Sequence, residues 1–179
     1  MKTSNVIWTA LAAAAVVPIV MYTRPTAPRG AQAVTPFDKD KYLGKWYELA
    51  RLDYFFERHL VNVTADYSMN EDGTIKVVNR GFDSNRNEWK ESIGRAKFAG
   101  DSHEGKLKVS FFGPLYAGYN VIALDENYQH ALVAGRNLSY LWILSRDQNI
   151  PDRVATSFLE KAIKLGYDVS KLNWIKHDK

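Results

Sequence analysis

The sequence contains no cysteine. That excludes disulfides, thiol nucleophiles, zinc–thiolate sites and thiol-linked lipids. Acidic residues are missing from positions 1–36, where Lys2, Arg24 and Arg29 supply a charge of +3; the remainder balances 21 basic against 20 acidic residues. Most of the net charge of +4 therefore belongs to the N-terminal stretch, and the body is nearly neutral. The body lacks the dense basic face that nucleic acid requires, and no nucleic-acid partner is expected. Histidine is scarce. His59, His103, His130 and His177 show no metal-ligand spacing, and each reads as a solvated surface residue. Glycine-rich phosphate loops and nucleophile elbows are missing too, so no metal, cofactor or catalytic residue is expected.

What is present is apolar and aromatic. The chain has 179 residues, 46% apolar and 13% aromatic, enough for one domain with an extension. Residues 6–22, VIWTALAAAAVVPIVMY, form an uncharged apolar run. As a helix it reaches about 25 Å, slightly short of a hydrocarbon core. Two readings of residues 1–33 stay open, a cleaved secretory signal ending at Ala31-Gln32-Ala33 and an uncleaved membrane anchor. The length of the run and the Arg24–Arg29 spacer favour the anchor. Either reading places the body across the inner membrane. Residues 23–36, with three prolines, read as an extended, mobile linker. The domain, taken as 34–179, begins its folded part near Phe37.

From Phe37 the periodicity is two. In VNVTADYSM, residues 61–69, Val61, Val63, Ala65 and Tyr67 share one face, and Asn62, Thr64, Asp66 and Ser68 the other. About eight such strands follow one another through tight polar turns, among them Glu71-Asp72-Gly73, with no crossover helix. Neighbours so closely linked are antiparallel. Closing the meander removes its edges and leaves room for a small ligand, which makes an eight-stranded antiparallel up-and-down β-barrel the expected all-β fold; an open sandwich is the alternative. A helix is signalled after Asn149-Ile150-Pro151-Asp152, with a stripe of Val154, Phe158, Ala162 and Leu165 widened by Leu159 and Ile163, and a cap at Gly166. It is expected to pack outside the barrel. KLNWIK, residues 171–176, supplies a short last strand.

YLGKWYELAR, FERHLVNVTADYS, LKVSFFGP, GYNVIALDENY, HALV and YLWILSR, in this order over residues 37–176, resemble the lipocalin family, and within it the bacterial outer-membrane lipoprotein Blc type. The resemblance implies that Gly44-x-Trp46 opens the first strand and that Trp46 packs against Arg146 across a closed end. A guanidinium on an indole is a favourable pair. Asp125 matches the acid of the family's second motif, while Leu124 and Glu126 depart from it, which puts that motif's hydrogen bonds in question. The Blc type is anchored by lipid on an N-terminal cysteine, and this sequence has none. An outer-membrane or periplasmic place in the envelope of a Gram-negative-type bacterium is implied, with an uncleaved helix as another means of membrane association. A homodimer is implied as well.

Strand parity places Trp142, Tyr140 and Leu144 inward with Arg146, and puts Tyr116, Gly118 and Asn120 on one face near the mouth. The resemblance implies that Tyr116 and Trp142 touch the ligand. Leu107, Val109 and Phe111 add an apolar wall, or serve as plain core. Glu48 has the parity of Trp46, so its carboxylate can sit inside unless a bulge turns it outward. Tyr54-Phe55-Phe56 reads as a mouth loop facing ligand or membrane. The function implied is carriage of fatty acids or lysophospholipids in envelope maintenance. Its rivals are an enzyme acting on a lipid or isoprenoid and an interaction module whose barrel is filled.

Overall fold

The computed structural model describes residues 26–52 and 59–178. The apolar run at 6–22 and the Tyr54-Phe55-Phe56 cluster lie outside them. A short helix α1 (Lys39–Tyr42) precedes eight strands: β1 (Gly44–Leu52), β2 (Leu60–Met69), β3 (Ile75–Asp83), β4 (Glu88–Phe98), β5 (Lys106–Phe112), β6 (Leu115–Leu124), β7 (His130–Ala134) and β8 (Leu141–Ser145). A helix α2 (Asp152–Lys164), a 3₁₀ turn (Val169–Lys171) and a last strand β9 (Leu172–Trp174) follow. Every consecutive pair from β1 to β8 is antiparallel, and β1 pairs with both β2 and β8, which closes the barrel. The short β9 adds to β1 through Ala50, Arg51 and Leu52.

Two apolar clusters divide the molecule. One fills the lower barrel with Trp46, Tyr67, Val77, Leu107, Val121 and Leu144. The other lies between the wall and α2, where Phe158 and Ala162 join Leu49, Ile122, Leu132 and Ile143. The helical stripe is narrower than its sequence spacing predicts. Leu159 is partly buried, whereas Ile163 is exposed and belongs to the solvent face. Gly166 follows the helix at φ +92°, the left-handed cap position.

Bulges correct the strict alternation. In β2 the register shifts between Val61 and Thr64, with Asn62 at φ 53°. Val61 therefore pairs with Phe82, on the same outer face as the Thr64–Arg80 pair, while Val63, Ala65 and Tyr67 are buried. The linker is corrected more substantially, because residues 26–36 are laid along the barrel. The Val34 amide donates to Val121 O, and Val34 O accepts from the Gly105 amide. The Thr26 carbonyl accepts from Asn120 Nδ2 at 2.7 Å and presses on Gly118, where a Cβ would meet it at 1.9 Å. Only glycine permits that contact. Paired backbone groups, not composition, decide the path of this strap.

A sealed floor and an apolar cavity

The closed end is built on Trp46, which is fully buried. The Arg146 guanidinium carbon lies 3.9 Å from its ring centroid. Arg146 also spends its donors on carbonyls: Nη1 to Lys45 at 2.7 Å, Nη2 to Lys41 and Leu43 at 2.8 Å each, and Nε to Tyr128 at 3.2 Å. Trp46 Nε1 donates to the Tyr42 carbonyl at 2.8 Å. Gly44 opens β1 at φ +91°, where a side chain would be strained, and a Cβ there would face Arg146 Nη1 at 3.5 Å. Helix α1, capped by Asp38 Oδ1, lies across the same end. At four residues, α1 is too short to show a helical period in the sequence. Despite the departures beside it, Asp125 keeps its hydrogen bonds, accepting from the amides of Gln129 and His130.

Above this floor lies a cavity of about 390 Å³, within the range of small-molecule sites. Leu107, Val109, Phe111, Tyr140, Trp142 and Leu144 all line it, as their parity requires. Tyr140 stacks on Trp142, their centroids 6.2 Å apart. On β6 the parity is the reverse of the one expected. Leu107 pairs with Tyr119 and Val109 with Ala117, so Ala117 and Tyr119 face the cavity. Asn120 does not line it. Its amide is buried outside the wall, donating to the carbonyls of Thr26 and Ala134. Tyr116 reaches only the edge of the cavity, its ring lying 4.7 Å from Lys97 Nζ and 5.9 Å from Lys108 Nζ.

Two polar groups inside were missed or half seen. Glu48 faces the cavity, and the bulge falls after it, between Glu48 and Ala50. The bulge instead turns Arg51 inward, opposite Trp142, where its Nη1 donates to Glu48 Oε1 at 2.6 Å. Deeper still, Tyr42, Tyr67 and Tyr119 bring their hydroxyls together, with 2.7 Å and 2.8 Å links through Tyr119. Burial pushes all three phenols well above their ordinary value. They come from α1, β2 and β6, and no local sequence pattern announces their meeting.

Two of the histidines are not solvated. His130 is largely buried, its Nδ1 3.7 Å from Asp125 Oδ1, and His177 lies edge-on to Tyr47 with Nε2 2.9 Å from Glu48 O. His59 and His103 are exposed as expected. Among the described residues no group of three or more acidic and histidine side chains gathers as a metal site.

The family model of the lipocalin-like domain matches residues 37–177. This chain belongs to the lipocalin family. The lipocalin is 50% identical over 165 residues to the outer membrane lipoprotein Blc of Escherichia coli strain K12, covering 92% of this chain and 93% of that protein. It is 46% identical to the Blc protein of Vibrio cholerae over 83% of this chain and 88% of the relative. Among solved structures, insecticyanin of the tobacco hornworm Manduca sexta superposes with a TM-score of 0.69 at 20% identity, over 87% of this lipocalin and 88% of that chain, a likeness of fold. Membership places the protein among those that bind small hydrophobic ligands rather than among enzymes.

Proposed function

We propose that this lipocalin carries fatty acids or lysophospholipids in the envelope of a Gram-negative-type bacterium, at the outer membrane or in the periplasm, and serves envelope maintenance. The observation that carries this reading is the cavity of about 390 Å³, walled by aliphatic side chains and edged by Trp142 and Tyr140. Each methylene buried there contributes about 0.8 kcal/mol, so an acyl chain needs few polar contacts. The aromatic pair near the mouth can orient a polar head. Likeness to proteins named outer membrane lipoprotein supports the envelope. With no cysteine, the apolar run at 6–22 takes the place of the lipid as a means of association, as an uncleaved helix or, if removed, leaving a periplasmic carrier. The homodimer belongs to the same reading, and sedimentation of the purified protein reports it.

Native mass spectrometry of the gently purified full-length protein is expected to show a bound acyl lipid, released unchanged. Trp142→Ala, with the fold intact, is expected to weaken fatty-acid binding roughly tenfold, about 1.4 kcal/mol, by removing half-buried contact area at the mouth. No lipid in the spectrum and no uptake of added fatty acid would overturn the carrier. Conversion of the lipid with time would favour an enzyme.

The β5–β6 hairpin supports a membrane surface as partner. Phe112 and Leu115 pair at its tip, 81% and 77% exposed, beside Gly113-Pro114. Lys97 and Lys108 stand behind them over Tyr116. Apolar side chains projecting ahead of lysines match an anionic interface. The double change Phe112→Asp and Leu115→Asp is expected to cut binding to phosphatidylglycerol vesicles tenfold or more while leaving the melting temperature unaltered. Undiminished vesicle binding removes the hairpin from the reading.

A further inference from the structure

The phenols at the cavity floor carry a proton count that does not close. Tyr42, Tyr67 and Tyr119 have one hydroxyl hydrogen each. Two hydrogen bonds join them, both through Tyr119, and no other described protein atom bonds to any of the three oxygens. Whichever way those two bonds run, one O–H is left with no protein acceptor. If the bonds run head to tail, the phenol oxygen at the other end also accepts nothing. Burial raises the pKa of all three, so the floor presents neutral hydroxyls and not a phenolate. A donor without a partner in such a place is costly, and a ligand atom that satisfies it recovers that cost.

The chemistry around the three oxygens narrows the ligand. Glu48 faces the same hollow, and its charge is one cause of the raised pKa of Tyr67. An anionic oxygen accepts at the floor but has no hydrogen to return. A bare methyl end leaves the spare hydrogen as it is. A carbonyl accepts but returns nothing. An alcohol accepts from the terminal phenol and donates to the oxygen at the other end of the chain, which closes the relay.

We propose that the floor is a hydroxyl-recognising subsite, and that this lipocalin selects lipids carrying an alcohol on the end that enters first. The inference rests on the lipid-carrier reading and names the class of lipid within it.

The test uses delipidated full-length protein and a matched pair, hexadecanoic acid and 16-hydroxyhexadecanoic acid. The two share carboxyl and chain length and differ only at the far end. A featureless apolar floor binds the hydroxylated chain more weakly, because the hydroxyl loses water and gains nothing. Here isothermal titration is expected to show the reverse order, with the hydroxylated acid about three- to tenfold tighter, the worth of one hydrogen bond. The triple variant Tyr42→Phe, Tyr67→Phe, Tyr119→Phe takes away the three donors together and leaves no orphan behind. It is expected to restore the ordinary order, with hexadecanoic acid the tighter of the two. If that variant does not fold, Tyr119→Phe alone, which frees the hydroxyls of both Tyr42 and Tyr67 for the ligand, is expected to keep or enlarge the preference, and its loss overturns the subsite. Equal or weaker binding of the hydroxylated acid by the unaltered protein overturns the subsite while carriage stands. Binding of neither acid overturns both.

Discussion

Replacing Trp46 with Ala is expected to lower the unfolding free energy by about 3–5 kcal/mol, the range for emptying a filled aromatic site. Trp46 is fully buried, so its entire ring becomes a void. The loss also strands its partners. The Tyr42 carbonyl forfeits the indole donor, and Arg146 forfeits the surface on which its guanidinium lies. Arg146 retains its carbonyl partners on Lys41, Lys45 and Tyr128, which should keep the end of the barrel closed and confine the damage to packing. Urea unfolding at neutral pH measures the change. A loss below about 1 kcal/mol would mean that the indole is not the keystone of this end, whatever its burial.

Stability is also expected to collapse above pH 10. In the unfolded chain phenols titrate near 10; in the folded protein Tyr42, Tyr67 and Tyr119 are held well above that value by burial. Below pH 10 both states hold the protons, and the contribution of the three phenols to stability is fully present. As pH rises from 10 toward the folded values, the unfolded chain binds fewer protons than the native one, so unfolding becomes steadily easier. One phenol changes stability by up to about 1.4 kcal/mol per pH unit. Three together reach about 4 kcal/mol per unit, enough to consume a typical domain's stability within two or three units. Tyr167, pushed up to about 12 by burial, steepens the loss between those limits. Urea midpoints from pH 9 to 11.5 record it. The Tyr42, Tyr67, Tyr119 triple Phe variant should show a much flatter profile, and an equally steep one would assign the alkaline loss elsewhere.

The barrel was legible because most strands bury one face and wet the other. Leu107, Val109 and Phe111 against Lys106 and Lys108 is such a case, and the first three line the cavity, although Ser110 on the lysine face is buried. Strand β6 was not legible in the same way, because both of its faces are covered. Tyr119 and Val121 meet the interior, while Asn120 and Ile122 lie under the strap and α2. Apolar residues then fall on either parity, and alternation gives no direction. Bulges defeat counting for another reason. One inserted residue after Glu48 puts Arg51 on the inner face, where strict alternation from Trp46 would turn it out, and one at Asn62 moves Val61 the other way. The tyrosine cluster was illegible in principle. Its members are separated by 25 and 52 residues and meet only once the barrel has closed on α1. Closure by Trp46 and Arg146 was the reverse case, since the resemblance supplied the pairing and the two residues needed only to be identified.

The strap has a mechanical consequence. Thr26 sits over Gly118, in the half of β6 nearer the hairpin tip, and the chain arrives at the base only at Phe37. A tether drawing on Thr26 therefore pulls the entrance, not the stoppered base, toward whatever holds it. A load applied there would run along a seam of Val34, Val121 and Gly105, so a tether at that point would hold the molecule by its rim.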